Sequence, residues 1–208
     1  MKNDLLVLDS LDSDGKSILY NVIKFDYKFI LDLITEYDKK TLGISLNRII
    51  DKNGNLGIAY SIIYNNFNIF KKLIELNFDP YHKNYKGYNC FHLVLKYKRH
   101  KFINYLLEKY DDFTFLTNNN ESFLYLILQN EMIEFYPKLI KKNIDINQGE
   151  IEYGITPLII SIVNNLDNIF YDLIENKNID LIKTDKYGNT VMHYCILEEN
   201  YNYLIIFL

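Results

Sequence analysis

The chain has 208 residues, 49% hydrophobic and 24% charged, with a net charge of −4. That profile excludes a disordered chain, and it leaves no basic field to draw nucleic acid or an anionic membrane. Two cysteines without a secretory leader argue against a disulfide framework and for a reducing compartment.

In chain order, residues 1–11, MKNDLLVLDSL, come first. Acidic residues interrupt their apolar patch, which is too short for a signal core or a membrane span. They are expected to form an N-terminal cap segment. From residue 12 to 208 the sequence repeats, with units starting near 12, 51, 84, 117, 151 and 185. Each unit is anchored by Gly15, Gly54, Gly87, Asn120, Gly154 or Gly188, spaced by 39 residues once and by 33 or 34 thereafter. Two residues after the anchor stands Ser17, Leu56, Asn89, Ser122, Thr156 or Thr190. Four after it the residue is always apolar: Leu19, Ile58, Phe91, Leu124, Leu158, Met192. Seven after it come Val22, Ser61, Val94, Ile127, Ser161 and Cys195. Apolar pairs then close five units: Leu73-Ile74, Leu106-Leu107, Leu139-Ile140, Leu173-Ile174 and Phe207-Leu208. In the first unit the pair, Leu33-Ile34, falls one place early.

The anchor suits a turn position with positive φ, which Asn also tolerates. The Ser, Thr or Asn two residues on reads as a helix N-cap, and Pro157 fits the first helical position. A short first helix, a polar break and a second helix follow, with Asn77 and Asn143 placed to end second helices in the left-handed conformation. A unit of this kind cannot bury its apolar face alone and must stack on its neighbours. The predicted class is all-α: a solenoid of stacked helix-turn-helix units joined by short hairpin-like turns. Its middle units should resist opening, while the ends and the connection at about 35–53 exchange early.

Period and pattern resemble the ankyrin repeat, whose first helix opens with Thr-Pro-Leu-His-x-Ala. The match is best at GITPLIIS and GNTVMHYC, and weakest in the second unit, where Leu56 and Gly57 replace Thr-Pro. His92 and His193 take the family's histidine position; Tyr20 and Tyr125 replace it in units one and four.

Two Cys/His pairs, Cys90 with His92 and Cys195 with His193, raise the question of a metal or a nucleophile. In a repeat stack they stand three units apart, on the order of 30 Å, whereas zinc holds its ligands within ~2.3 Å. Residues i and i+2 of a helix do not face each other, so a local dyad fails too. Both pairs read as packing. His82 and His100 are isolated, and no phosphate loop, HExxH or CxxC occurs. The expectation is a non-enzyme without cofactor or metal.

The resemblance implies a protein-interaction module that binds through its concave face and turn tips. A structural or adaptor segment of a larger assembly, or an inhibitor occluding a partner enzyme, is the alternative. The family's contact positions flank the anchor and lie nine and ten residues beyond it. They fall here on Phe25, Tyr64, Tyr85, Tyr88, Lys96, Tyr97, Tyr153 and Tyr187. Tyrosine is enriched at binding hot spots. The basic run KYKRHK, Lys96 to Lys101, reads first as a solvated break between helices. Functionally it suits a partner with an acidic, apolar-anchored segment, ahead of nucleic acid; no membrane partner is expected.

The composition is rich in Asn, Ile and Lys, with 19 Tyr and no Trp. It resembles that of ankyrin-repeat proteins of large DNA viruses; an A/T-rich protist or an intracellular bacterium would share it. A viral origin implies a host protein as partner and the host cytoplasm as location. The last segment, YNYLIIFL, holds more apolar residues than one buried stripe needs. It should pack back or meet another subunit or a further segment, a weak dimer being one outcome. No F-box-like segment follows it, so a ubiquitin-ligase adaptor is not expected.

Overall fold

The computed structural model describes residues 11–40 and 51–208. Residues 1–10 of the expected cap segment and 41–50 of the first long connection lie outside the described residues. The chain folds into two compact units, Met1–Ile103 and Asn104–Leu208. Among the described residues all regular structure is helical, with isolated bridges at two turn bases, Leu11 with Ser17 and Leu116 with Ser122, and one between Asp112 and Asn143.

In the first unit, α1 (Ile18–Lys24) pairs with α2 (Lys28–Lys40), α3 (Gly57–Ile63) with α4 (Phe67–Glu75), and α5 (Cys90–Lys96) precedes α6 (His100–Lys109). The first helices stack, α1 on α3 and α3 on α5. Their apolar residues are sealed: Ile23, Ile62, Phe91 and Val94 have no exposed surface. At Gly57 the helix lies close to the preceding repeat: a Cβ there would stand 3.0 Å from Ile23 Cδ1 and 3.1 Å from Leu19 Cδ2.

In the second unit, α7 (Phe123–Gln129) packs on α9 (Pro157–Val163), and α9 on α11 (Val191–Leu197). The second helices are α8 (Tyr136–Leu139), preceded by a 3-10 turn at Ile133–Phe135, then α10 (Asp167–Ile174) and α12 (Tyr201–Ile205). The fourth repeat departs from expectation: its second helix is broken up around Pro137, which has no N–H to donate. Asn143 therefore caps no helix. It exchanges backbone bonds with Asp111 and Phe113, while Asn77 does take a φ of 61°.

The N-caps differ one from another. Asn89, Ser122 and Thr156 accept from the backbone N–H three residues on. Ser17 makes no such bond, and its buried hydroxyl lacks a partner among the described residues.

Each first helix ends the same way. The residue eleven beyond the anchor has positive φ in all six repeats: Asp26, Asn65, Lys98, Glu131, Asn165 and Glu199, between 51° and 60°. The next N–H reaches back to the carbonyl seven beyond the anchor, as in Arg99 to Val94 at 2.8 Å and Met132 to Ile127 at 2.9 Å. That is a Schellman closure made without glycine. A Cβ in this conformation is costly, so Glu131→Gly should stabilise the protein by up to ~1 kcal/mol. Urea denaturation checks it; a lower midpoint would show that the Glu131 side chain makes a larger contribution elsewhere.

Candidate interaction surface

The turn tips are built by one side chain, three residues before the anchor. Asp12, Asp51, Asn84, Thr117 and Asp185 each accept from the backbone N–H groups two and four residues on, at 2.8 to 3.2 Å. In the fifth repeat the longer Glu150 does this from one place earlier, accepting from Tyr153 at 2.8 Å and Ile155 at 3.1 Å. Backbone bonds then tie neighbouring tips: Tyr85 N–H to Asn53 O at 2.9 Å, and Lys186 N–H to Tyr153 O at 2.8 Å. These bonds fix the tip aromatics on rigid loops.

In the first unit, Tyr85 lies exposed over the preceding turn, its ring against Gly54, where a Cβ would approach to 2.7 Å. It therefore sits on the turn of repeat two. Tyr88 is half-buried and carries the Lys96 ammonium 4.6 Å above its ring. At the helix ends, Phe25 is exposed with Lys24 at 5.1 Å from its ring. Tyr64 shares a 2.6 Å hydrogen bond with Tyr20 and stacks on Tyr60, whose hydroxyl donates to Asp51 at 2.5 Å. Burial and the Tyr20 bond push the Tyr64 phenol up to about 12. Burial opposes ionisation of Asp51, but the bonds from Tyr60 and Asn55 outweigh it and hold the carboxyl below its usual range.

Tyr97 stands at the rim with the Arg99 guanidinium 5.9 Å from its ring. Arg99 is otherwise committed: it donates to Ile62 O at 3.0 Å and Ile63 O at 2.7 Å, closing the C-terminus of α3. Lys101 stands 4.4 Å from the Phe67 ring. The basic run thus works partly as a structural clamp on repeat two. Tyr20 and Tyr60, five and six residues beyond their anchors, are buried and support Tyr64 from beneath.

In the second unit, Lys186 is held between two tip tyrosines, 4.2 Å from the Tyr153 ring and 5.1 Å from that of Tyr187. Both tyrosines are exposed. An open cleft of about 440 Å³ lies elsewhere, among Thr114, Lys142, Asn143, Asn147, Asn176 and Asn178. Its polar groups serve each other: Lys142 bonds Asp111, and Asn147 bonds the Asn178 carbonyl and the Asp180 N–H. The cysteines are packing residues. Both are buried, and burial pushes the Cys90 and Cys195 thiols up, away from a reactive thiolate. Their histidines hold caps: His92 Nδ1 accepts from Asn89 N–H at 3.2 Å, and His193 Nδ1 from Thr190 N–H at 3.1 Å.

No family model matches the chain. It is 28% identical over 203 residues to an ankyrin repeat protein of Acanthamoeba polyphaga mimivirus, which covers 96% of this chain. The chain spans about a quarter, 26%, of that relative. Among solved structures, it is similar to the ankyrin repeat domain of Bcl-3, described as a unique member of the IkappaB protein family. The TM-score is 0.73 at 16% identity, covering 90% of this chain and 81% of that one.

Proposed function

From a chain built on the ankyrin-repeat fold, a repeat architecture generally used to bind proteins, we propose a non-catalytic protein-interaction module. It holds its partner through the turn tips and the first-helix ends. The observation that carries this reading is the pairing of exposed or half-exposed aromatics with lysines on rigid turns: Lys24 with Phe25, Lys96 with Tyr88, and Lys186 with Tyr153 and Tyr187. A lysine held over a ring offers a cation beside an apolar plate. Its complement is a segment that brings a carboxylate and an apolar anchor together. Tyr64, Tyr85 and Tyr97 extend the same surface with large contact area at low entropic cost. The likeness to a giant-virus protein supports a host protein as partner and the host cytoplasm as the place of action. Among the described residues, no helix is long and apolar enough to cross a membrane.

The test is affinity capture from host-cell extract, followed by titration with the recovered partner. Replacing exposed Tyr85 and Tyr97 by Ala, singly, should each weaken binding by ~2 kcal/mol if they are hot spots, with thermal unfolding unchanged. Full affinity in both variants, with fold intact, would show that the partner uses another surface.

A further inference from the structure

The turn tip of the second repeat holds a reactive dipeptide under a cover. Asn53 is the one asparagine of the chain that glycine follows. Asparagine is thermolabile, and a following glycine has no side chain to keep its N–H from the amide carbon. Here both N–H groups and both carbonyls of the pair are bonded. Asn53 N–H donates to the Asp51 carboxylate at 2.9 Å, and Gly54 N–H donates to Asp51 O at 3.3 Å. The Asn53 side-chain amide is held by the same carboxylate, at 3.2 Å. The turn of the third repeat grips the other side. Tyr85 N–H donates to Asn53 O at 2.9 Å, and His82 Nε2 donates to Gly54 O at 2.9 Å. The Tyr85 ring lies on Gly54, so that Gly54 is buried while Asn53 stays open to water.

We propose that Asn53 is a deamidation site which Tyr85 and His82 of the next turn keep shut. The reaction starts when Gly54 N gives its proton to solvent and attacks Asn53 Cγ. The N–Cγ bond forms, the Cγ–Nδ2 bond breaks, and the side-chain nitrogen takes up a proton and leaves as ammonia. Water then opens the cyclic imide at either carbonyl and leaves aspartate or isoaspartate at 53, with no oxidant or reductant involved. Before any of this, Gly54 N must leave Asp51 O and the peptide between Asn53 and Gly54 must rotate. Rotation breaks the bonds from Tyr85 and His82, and the Tyr85 ring stands in its way. Local opening of the tip is therefore the gate. Once the reaction has occurred the tip does not close as before. A carboxylate at 53 replaces a donor to Asp51 with a like charge, and isoaspartate also lengthens the backbone between the carbonyls that Tyr85 and His82 hold. The opening of this tip is thereby recorded permanently, and Tyr85 loses its seat. The inference does not depend on the partner reading above, since the chemistry needs only the turn and water.

Incubating the full chain at mildly alkaline pH tests it, with peptide mapping to read the amide-to-acid mass gain at residue 53. A synthetic peptide of residues 51–57 supplies the unguarded rate. The parent should react at least about tenfold more slowly than the peptide, because only the opened tip is competent. Tyr85→Ala and His82→Phe, each with the circular dichroism of the parent, should speed the reaction about fivefold, the scale of one lost contact or hydrogen bond. Leu139→Ala serves as the control. Leu139 is fully buried in the fourth repeat, so its truncation lowers stability without touching the tip, and the rate at Asn53 should stay that of the parent. A parent that deamidates as fast as the peptide overturns the proposal. So do Tyr85→Ala and His82→Phe variants that both react at the parent's rate. An acceleration by Leu139→Ala equal to that by Tyr85→Ala overturns it too, since general unfolding would then be the gate.

Discussion

Replacing Phe102 by Ala should destabilise the protein by ~3–5 kcal/mol, while the same change at Phe29 should stay within ~0.5 kcal/mol. Both phenylalanines lie near the start of a second helix, Phe102 in α6 and Phe29 in α2. Phe102 is 1% exposed, with its ring 5.1 Å from Phe67 and 4.9 Å from Phe70 of the preceding repeat. Truncation removes the transfer energy of the ring and leaves a cavity between two repeats, which packed helices close only in part. Phe29 is 72% exposed and leaves nothing to fill. In a stack whose stability is a sum of neighbour terms, a lost interface between repeats two and three is felt as cooperativity as well. The urea midpoint should therefore fall and the transition should broaden for Phe102→Ala alone. Equal costs at the two sites would mean that repeats two and three are not coupled through this aromatic cluster.

The architecture was legible because it is written in positions that recur. A fixed interval of 33 or 34 residues, a cap two beyond the anchor and a core residue four beyond it survive large changes of residue type. The closure of the first helix was not legible. Its left-handed residue is Asp, Asn, Lys or Glu, and a position that also takes Lys and Glu carries no recurring glycine or asparagine to signal it. The break in the fourth repeat was in view at Pro137, yet the apolar pair Leu139-Ile140 read as a continuous second helix.

Charge was read with the wrong range. Arg99 looked like surface, but a guanidinium has the reach to close a helix one repeat away. The surface tyrosines followed from position alone. What position could not convey is that Tyr64 is tied to Tyr20 and that lysines cover the rings of Tyr88, Tyr153 and Tyr187. The exposure of Ile196 was likewise invisible, since in sequence it matches five residues that are sealed.

Stability should fall steeply in acid through His92. The imidazole is 1% exposed in the cap of α5, where Nδ1 accepts from Asn89 N–H and Asn89 Oδ1 accepts from His92 N–H. Burial, with the nearby Lys83 charge adding to it, lowers its pKa from 6.5 to about 3. The cap bond has the same sense: Nδ1 must stay unprotonated to accept it. The folded protein therefore keeps His92 neutral, while the unfolded chain takes up a proton as pH drops below about 6.5. Between about 6.5 and about 3 the unfolded state binds more protons, so stability rises with pH across that window and is lost as pH falls through it. At 1.36 kcal/mol per unit, the contribution lost between pH 7 and pH 4.5 is on the order of 2–3 kcal/mol. Paired carboxylates such as Asp51 act in the same direction at lower pH, so the parent's own profile does not isolate His92. His92→Gln does. Glutamine keeps an acceptor three residues into the helix, as in other capping boxes, and does not titrate. The difference in unfolding free energy between parent and variant should be largest at pH 7 and shrink by that amount by pH 4.5. A difference that stays constant over this range would show that His92 takes up its proton without leaving its pocket.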